Sequence, residues 1–571
     1  MHKRIQQQAA LAILLAPALV YAQVAPEAGR ILESNKPPAL IAPPAPAPKV
    51  IPDSAPPMAA SDAGTARVMV RAFAIEGASV VPAATLQAIV APYTGRALTF
   101  NEMTQAAAAV SAYYRAQGYF LASAYLPAQD LSRGVVTLRI LEGRVSDLRV
   151  VPDASVRLKP ASQRRYLDAL VKTGQPVSED QLERALLLTQ DLPGMKANAS
   201  LGPGAALGDT AVDVALSEGP LLSGNIGLDN SSNRYTGRTR LTSAVNLNDL
   251  GGYGGVASLQ AATTGAHFNY GRLGYVAPVG DLGTRIGLAY SRLRYELGAD
   301  FASLNASGTA DVSQATVVHP LVRSRNLSVQ LRAGYERKRY ENVANGVQTA
   351  DKTVSSIPLG YDVSARDDFF GGGTTSVSIE ATSGDVDLSR NAGAMAADVA
   401  GARTEGRFGR ANYQLVRYQR LTDATALLFK LSGQIASKNL EAGEKLSLGG
   451  ADRVRAYPSG EASGDEGQVL SIEGRYGLPS IKTELSLFAD YGHVKLNRQV
   501  YAGALDPAGP GNSYDLKGVG AGVQWVGPYR TTVQVQVATK IGTNPARSVA
   551  GKDVDGSRAR TRAWFQISTY F

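Results

Sequence analysis

The residues best placed to do chemistry lie in a glycine-rich segment near the C-terminus that carries both signs of charge. It runs from Leu446 to Gly467 and contains Val454-Arg455-Ala456-Tyr457. Downstream, residues 485–492 alternate like a β-strand and include a lone carboxylate, Asp490. An arginine can hold such a carboxylate through two parallel hydrogen bonds. The pattern predicts a non-covalent pair of Arg455 and Asp490, and the alternative is that both charges are simply solvated.

The sequence has few residues that could support thiol chemistry, metal binding or nucleotide hydrolysis. The chain of 571 residues has no cysteine, which excludes disulfides, thiol nucleophiles and thiolate zinc sites. Its four histidines are scattered along the chain: His2, His267, His319 and His493. Gly551-Lys552 lacks the earlier glycine of a phosphate-binding loop, and the sequence has no nucleophile elbow. We therefore predict a protein that is not an enzyme and uses no cofactor or metal.

The charged segment belongs to a long region, residues 220–571, in which strand patterns replace helical ones. Residues 1–219 contain 13 glycines and residues 220–571 contain 46. Stretches such as Val533 to Ala538 have one apolar and one polar or small face, which fits either a soluble sandwich or an outer-membrane barrel. At roughly 22 residues per strand and connection, the region gives about sixteen strands, an even number typical of bacterial barrels.

The two ends of the chain favour the barrel. Residues 1–22 have a basic start, a short apolar stretch and small residues before a cleavage point, so we predict a signal peptide that ends at Ala22. The last strand ends on Phe571, with Phe565 and Ile567 on the same face, and we predict a barrel-assembly signal there. Of the formal net charge of +9, +7 belongs to residues 220–571, where the basic residues are spread along the strands, so nucleic acid is not a predicted partner.

A tether and two small modules precede the barrel. Residues 23–65 comprise a short N-terminal segment, in which Glu27 to Ser34 offers about two helical turns that need a partner surface, and a proline-rich linker. Nine prolines within residues 37–57 exclude a helix or a central strand. Residues 66–142 and 143–219 both show the order β-α-α-β-β. The spacing of Thr99 and Glu102 in the first, and of Ser178 and Gln181 in the second, predicts a capping box at the start of a helix, and Tyr119 to Leu126 is predicted to be a strand. An open sheet edge in such a module can accept an extended peptide, and a module without any ligand is the alternative.

Together these features resemble the two-partner-secretion outer-membrane transporters, the hemolysin and adhesin secretion/activation family. The resemblance rests on Val454 to Tyr457 with Gly464-Asp465-Glu466-Gly467, and on Tyr113 to Gly143 and Asp191 to Gly204 in the modules. It covers the chain from about residue 66 to its end. The family's usual third-position glycine is Ala456 here.

The resemblance implies an α+β pair of periplasmic POTRA domains followed by an all-β, 16-stranded transmembrane β-barrel. POTRA 1 would be residues 66–142, POTRA 2 residues 143–219, and the barrel residues 220–571. A loop of about residues 446–468 would fold into the lumen, where Arg455 would meet Asp490 on a wall that also carries Phe488 and Gly492. Family members also have an N-terminal helix that plugs the barrel.

By the same resemblance, the chain lies in the bacterial outer membrane and exports a large exoprotein from the periplasm without nucleotide hydrolysis. The exoprotein would be an adhesin, a hemolysin or a toxin, and it would bind the POTRA domains. Outer-membrane lipid and, during biogenesis, the barrel-assembly machinery are the other expected partners. An outer-membrane assembly factor of the same superfamily is the alternative function, although such factors usually have more than two POTRA domains.

Overall fold

The computed structural model describes residues 25–35, 50–52, 66–206, 208–265, 267–505, 507, 509–548 and 550–571. The predicted signal peptide, residues 1–22, lies outside the described residues. The helices are α1 (Ala28–Asn35), α2 (Ala83–Val90), α3 (Phe100–Ala116), α4 (Pro160–Leu170), α5 (Glu179–Gln190) and α6 (Ala392–Ala400). Among the described residues, no helix combines the length and apolar character needed to cross a membrane.

Within the described part of the chain, nine strands precede the barrel: β1 (Val50–Pro52), β2 (Arg67–Val70), β3 (Ala72–Glu76), β4 (Arg96–Thr99), β5 (Ser123–Tyr125), β6 (Val135–Leu141), β7 (Arg144–Pro152), β8 (Met195–Pro203) and β9 (Asp209–Glu218). The barrel begins with β10 (Leu222–Asp229), β11 (Arg240–Asn248), β12 (Val256–Thr263), β13 (Phe268–Val279), β14 (Thr284–Glu296), β15 (Ser307–Arg323), β16 (Leu327–Ala344) and β17 (Val347–Asp367).

The chain continues with β18 (Gly373–Asp387), β19 (Gly406–Arg420), β20 (Thr425–Ala436), β21 (Leu446–Ser447), β22 (Ser463–Gly464), β23 (Glu466–Leu478), β24 (Thr483–Lys495), β25 (Ser513–Val526), β26 (Thr531–Lys540) and β27 (Thr561–Tyr570). The two-residue strands β21 and β22 lie in the long connection between β20 and β23. This connection, residues 437–465, is called the inner loop below.

Sixteen antiparallel strands close into a barrel, which confirms the predicted fold class and strand number. The barrel closes where β27 pairs with β10, from Asn225 opposite Tyr570 to Asp229 opposite Gln566. Beyond the last pair, the Phe571 amide donates to the Gly224 carbonyl at 3.0 Å. Apolar side chains such as Leu487, which is 72% exposed, point outward and give the barrel an apolar outer surface.

The first module, residues 66–142, has a three-stranded sheet in the order β3-β6-β5 and a two-stranded sheet formed by β2 and β4. Thr99 and Glu102 form the predicted capping box at the start of α3. The strand predicted from Tyr119 to Leu126 is shorter, because Gly118 has a φ of +84° and the chain turns before β5.

The second module, residues 143–219, packs α4 and α5 over a sheet in the order β1-β8-β9-β7. The predicted capping box of α5 is present, with Ser178 and Gln181 bonded to each other's backbone amides. Strand β1 comes from the proline-rich linker and pairs in parallel with β8. Its position at the sheet edge agrees with the rule that proline is excluded from central strands.

Helix α5 fixes the second module to connections between barrel strands. The Arg323 guanidinium at the end of β15 makes two hydrogen bonds to the Asp191 carboxylate, of 2.9 and 2.8 Å. Beside this pair, Arg325 Nε donates to Glu183 Oε2 at 2.9 Å. The Leu188 side chain lies against Gly283, where an added Cβ would meet a leucine methyl at 2.5 Å. Charge pairing and close packing therefore join the module to the barrel.

Candidate functional site

The site is built on the lumen side of a β-hairpin formed by β23 and β24. In this hairpin Ser471 lies opposite Asp490, and Glu473 lies opposite Phe488. Since side chains alternate along a strand, these four residues project from the same face. All four are at most 8% exposed, although barrel lumens are commonly filled with water. A covering element must therefore exclude water from this part of the wall.

The covering element is the inner loop. Its two ends pair through β21 and β22, and between them the Val454 amide donates to the Leu448 carbonyl at 3.0 Å. Leu448 and Val454 pack on Gly492 of the wall, where an added Cβ would lie 2.9 Å from a Val454 methyl. The predicted wall position Gly492 therefore provides the space that lets the loop approach β24 closely.

Arg455 connects the loop to the hairpin through a set of charge-assisted hydrogen bonds. Its Nε and Nη2 donate to the two oxygens of Asp490 at 2.9 and 2.8 Å, and its backbone amide donates to Asp490 at 3.0 Å. Its Nη1 donates to Glu473 Oε2 at 2.7 Å, and Nη2 also donates to Ser471 Oγ at 2.9 Å. The guanidinium carbon lies 3.2 Å from the centre of the Phe488 ring. The arginine thus has two carboxylates and an aromatic face around it.

The residues after Arg455 continue the contact with the wall. The Ala456 methyl fills the space above Gly518, where an added Cβ would come within 2.7 Å of it. Gly518 thus accommodates the side chain that stands where the family usually has glycine. Tyr457 is 1% exposed, with the Lys540 ammonium 5.0 Å from its ring centre. Trp564 of β27 donates from Nε1 to the Arg455 carbonyl at 2.7 Å.

The predicted residues at the end of the loop, Gly464, Asp465 and Gly467, lie away from Arg455, close to where β23 begins. Gly464 lies in β22, where an added Cβ would meet the Lys495 carbonyl at 2.5 Å. Asp465 is fully buried, forms a 2.8 Å ion pair with Lys445 and accepts the Leu440 amide at 3.0 Å. Gly467 already belongs to β23, so the predicted loop boundary near residue 468 differs from the structure by a few residues.

Helix α1 lies inside the barrel and contacts the inner loop. Ile31 and Leu32 belong to a buried cluster with side chains of the wall. The backbone of Gly29 faces Gly443 of the loop so closely that a Cβ on Gly29 would lie 2.8 Å from Gly443 Cα. Lys352 of the wall pairs with Glu27 at 2.5 Å and with Glu441 of the loop at 2.6 Å. The short helix thus obtains its stability from a partner surface, as expected from its length.

The loop and helix leave a polar cavity of about 680 Å³ within the lumen. Its lining includes Glu33 of the helix, Asp452 and Arg453 of the loop, and Arg332 and Lys430 of the wall. The described residues contain no cluster of three or more histidine, cysteine, aspartate or glutamate side chains placed to bind a metal ion. The inner loop and α1 are held within the pore by non-covalent contacts, which can form and break without a chemical reaction.

The structure brings together Val454 to Tyr457 with Asp490, Phe488 and Gly492, and it adds residues that the sequence analysis missed. Glu473 and Ser471 were missed, although a symmetric hairpin drawn around Leu478 and Thr483 would have placed Ser471 opposite Asp490. Trp564 was missed because its contact with Arg455 spans 109 positions. The remaining predicted residues, Phe565, Ile567 and Phe571, lie on the closing strand or just beyond it, and Ile567 and Phe571 are exposed.

A profile of the haemolysin secretion/activation protein family ShlB/FhaC/HecB matches residues 208–524, and one of the ShlB-type POTRA domain matches residues 68–143. The heme/hemopexin transporter protein HuxB of Haemophilus influenzae (strain 86-028NP) is 28% identical over 459 residues, which cover 79% of this chain and 80% of HuxB. The outer membrane transporter CdiB of Dickeya dadantii is 23% identical over 434 residues, covering 72% and 74% of the two chains. The solved structure of CdiB from Escherichia coli covers 95% of both chains with a TM-score of 0.71 and 18% identity, a similarity of fold.

Proposed function

The chain belongs to the haemolysin secretion/activation protein family, whose profile matches more than half of it, and we propose an order of steps by which it exports its partner protein. The chain is a two-partner-secretion transporter of the outer membrane, with its POTRA region in the periplasm. It exports a partner exoprotein, and the family match favours this activity over the barrel-assembly alternative. The family consists of transporters, and nucleotide-independent transport fits a protein whose export route begins in the periplasm.

In the proposed course, an unfolded exoprotein first binds the modules by adding a strand to a sheet edge. It then enters the lumen as the inner loop and α1 yield, and its folding outside the cell prevents return. The observation that carries this proposal is the kind of contact that holds the obstruction: α1 and the inner loop are fixed in the lumen by ion pairs, hydrogen bonds and side-chain packing. Such contacts can be exchanged for others without breaking a covalent bond.

Outer-membrane lipid and the barrel-assembly machinery are proposed as the other partners. Exposed apolar side chains on the outer face of the barrel, such as Leu273 at 63% and Leu288 at 63%, support contact with lipid. The aromatic C-terminus at Phe571, on the strand that closes the barrel, supports recognition during assembly. The exoprotein is proposed to be a large adhesin, hemolysin or toxin, and a search for a large reading frame beside the gene for this chain would identify it.

Deletion of residues 66–219 tests the docking role of the modules. We expect the barrel to assemble and secretion of the exoprotein from the neighbouring reading frame to be lost. Barrel assembly is checked by the heat-dependent electrophoretic mobility of outer-membrane fractions, and secretion by immunoblotting of the medium. Unchanged secretion with normal barrel assembly would remove the modules from the mechanism.

A further inference from the structure

One sheet edge of the second module is covered by a segment of this chain that lies far from it in sequence. Strand β1 from the linker pairs with β8 at three positions, from Val50 opposite Ala199 to Pro52 opposite Leu201. Without β1, strand β8 would be the edge of the sheet, because its other side pairs with β9. The pairing of β1 demonstrates that this edge accepts an extended peptide in parallel orientation.

The covering strand is short compared with the edge that it occupies. Strand β9 pairs with β8 at nine positions, from Met195 to Pro203, whereas the described part of the linker, Val50–Pro52, pairs at three. Pro52 has no backbone N–H, which removes a donor from the β1 ladder, and parallel pairing is slightly weaker per residue than antiparallel pairing. A longer extended segment would therefore form more hydrogen bonds along β8 than β1 does.

The second module holds this edge in place relative to the pore. Its helix α5 is joined to the barrel by the pair of Asp191 with Arg323 and the pair of Glu183 with Arg325. Along β8, Ala197, Ala199 and Leu201 are buried in the module core, and the side chains between them are exposed. A matching segment would have apolar residues at alternate positions and polar residues between them.

We propose that the β8 edge is an exchange site, at which an extended segment of the exoprotein with alternating apolar and polar residues replaces Val50–Pro52 as the outer strand. This inference rests on the proposed function and adds a docking position and a regulatory step to it. The linker strand protects the edge before the exoprotein arrives, since an uncovered edge also invites pairing with other chains.

Release of β1 from β8 changes how far α1 can move, because β1 limits the length of free chain that follows α1. Val50 follows the last residue of α1, Asn35, by 15 positions, a stretch that spans at most about 50 Å. When β1 leaves β8, the next strand among the described residues is β2, which begins 32 positions after Asn35 and extends that limit to about 110 Å. Docking of the exoprotein therefore gives α1 a longer tether with which to leave the lumen.

A reversible cross-link between β1 and β8 tests this inference in the full-length chain, which has no native cysteine. The variant carries Ile51→Cys and Ser200→Cys, which are register partners, and adjacent strands lie within the Cα spacing that a disulfide spans. The control carries Lys196→Cys and Ser217→Cys, which joins β8 to β9 and leaves the edge available for exchange. Secretion of the exoprotein from the neighbouring reading frame is measured before and after reduction.

We expect the disulfide in the variant with Ile51→Cys and Ser200→Cys to reduce secretion in proportion to the cross-linked fraction, by about tenfold when about nine-tenths of the protein is cross-linked. Secretion should recover on reduction. The oxidised control should secrete like the wild type. Wild-type secretion from the oxidised Ile51/Ser200 variant would overturn the exchange, and so would an equal loss in the control. A failure of the wild-type chain itself to secrete would instead overturn the proposed function.

Discussion

At the scale of single residues, Arg455 is the strongest link between the inner loop and the wall. It forms ion pairs with the buried carboxylates of Asp490 and Glu473. Removing the guanidinium breaks the ion pair of Asp490 and leaves Glu473 paired with Arg475. Breaking a buried ion pair from one side costs about 3–5 kcal/mol. The loop position, more than the barrel fold, should bear this cost, because the barrel strands are paired independently of the loop.

Arg455→Ala should lower the population of the wall-bound loop by at least about tenfold, since about 1.4 kcal/mol corresponds to tenfold. We expect export to be impaired because the loop is then misplaced in the lumen, while the barrel remains folded. Arg417→Ala is the matched control, because Arg417 also pairs with an aspartate of the wall, Asp367, but makes that contact within the barrel strands. Secretion and heat-dependent mobility are the two measurements. Full secretion by Arg455→Ala, or an equal loss in Arg417→Ala, would exclude a special role for Arg455.

The Glu142 carboxyl makes the stability of the first module depend on pH. Burial raises the pKa of this carboxyl, but hydrogen bonds from the Ser79 hydroxyl, the Val80 and Ser79 amides and the Tyr114 hydroxyl outweigh burial and hold the pKa below its usual value. A lowered pKa in the folded state stabilises the module above the unfolded pKa of about 4.3. This contribution is lost as the pH falls from there through the folded pKa.

Glu142→Gln should make the first module less stable at neutral pH by about 1–3 kcal/mol, since the amide cannot accept all of these hydrogen bonds. Its stability should also change less than that of the wild type below about pH 4.3. Hydrogen exchange of residues 67–141 in the full-length chain measures both effects. Glu76→Gln is the control, because Glu76 is exposed and pairs only at the surface with Arg139. Identical acid profiles for wild type and Glu142→Gln would contradict the prediction.

At the scale of elements, the sequence predicted features that depend on neighbouring residues better than contacts between residues far apart in the chain. The capping boxes at Thr99 and Ser178 and the alternation of the barrel strands depend on neighbouring residues, and both are present in the structure. Strand β1 was not predicted, because its pairing depends on the exposed edge of β8 and its own sequence is rich in proline. The contact of Trp564 with Arg455 likewise depends on closure of the whole barrel.

Helix α1 makes one especially close backbone contact with the inner loop, at Gly29. A leucine at position 29 would clash with Gly443, and overpacking of this kind costs about 1–3 kcal/mol. A helix of eight residues has little stability of its own to oppose that cost. Gly29→Leu should therefore release α1 from the lumen and increase the ion conductance of the purified protein in planar bilayers. Gly474→Leu, at a wall position with open space for a side chain, should leave the conductance unchanged. Equal conductance of the two variants would contradict the prediction.

At the scale of the whole molecule, the second module and the barrel act as one unit if their ion pairs persist in solution. The pair of Arg323 and Asp191 is partly buried and bidentate, so it should be worth more than the about 0.2–1 kcal/mol of exposed pairs. Asp191 is the C-terminal cap of α5, where a positive side chain interacts favourably with the helix dipole. Positions 191 and 323 are therefore suited to a charge-swap experiment, in which the acidic and basic residues are interchanged.

Asp191→Arg alone should place two guanidinium groups together and loosen the second module from the barrel, because like charges repel at this distance. We expect faster hydrogen exchange in α5 and at residues 324–326, together with lower secretion. Adding Arg323→Asp should restore both properties, since the pair reforms with reversed charges. Asp168→Arg, which disrupts an exposed pair within α4, is the control and should change neither property. If the double variant remains as impaired as Asp191→Arg, the ion pair does not carry the coupling, and the packing of Leu188 on Gly283 becomes the contact that joins the module to the pore.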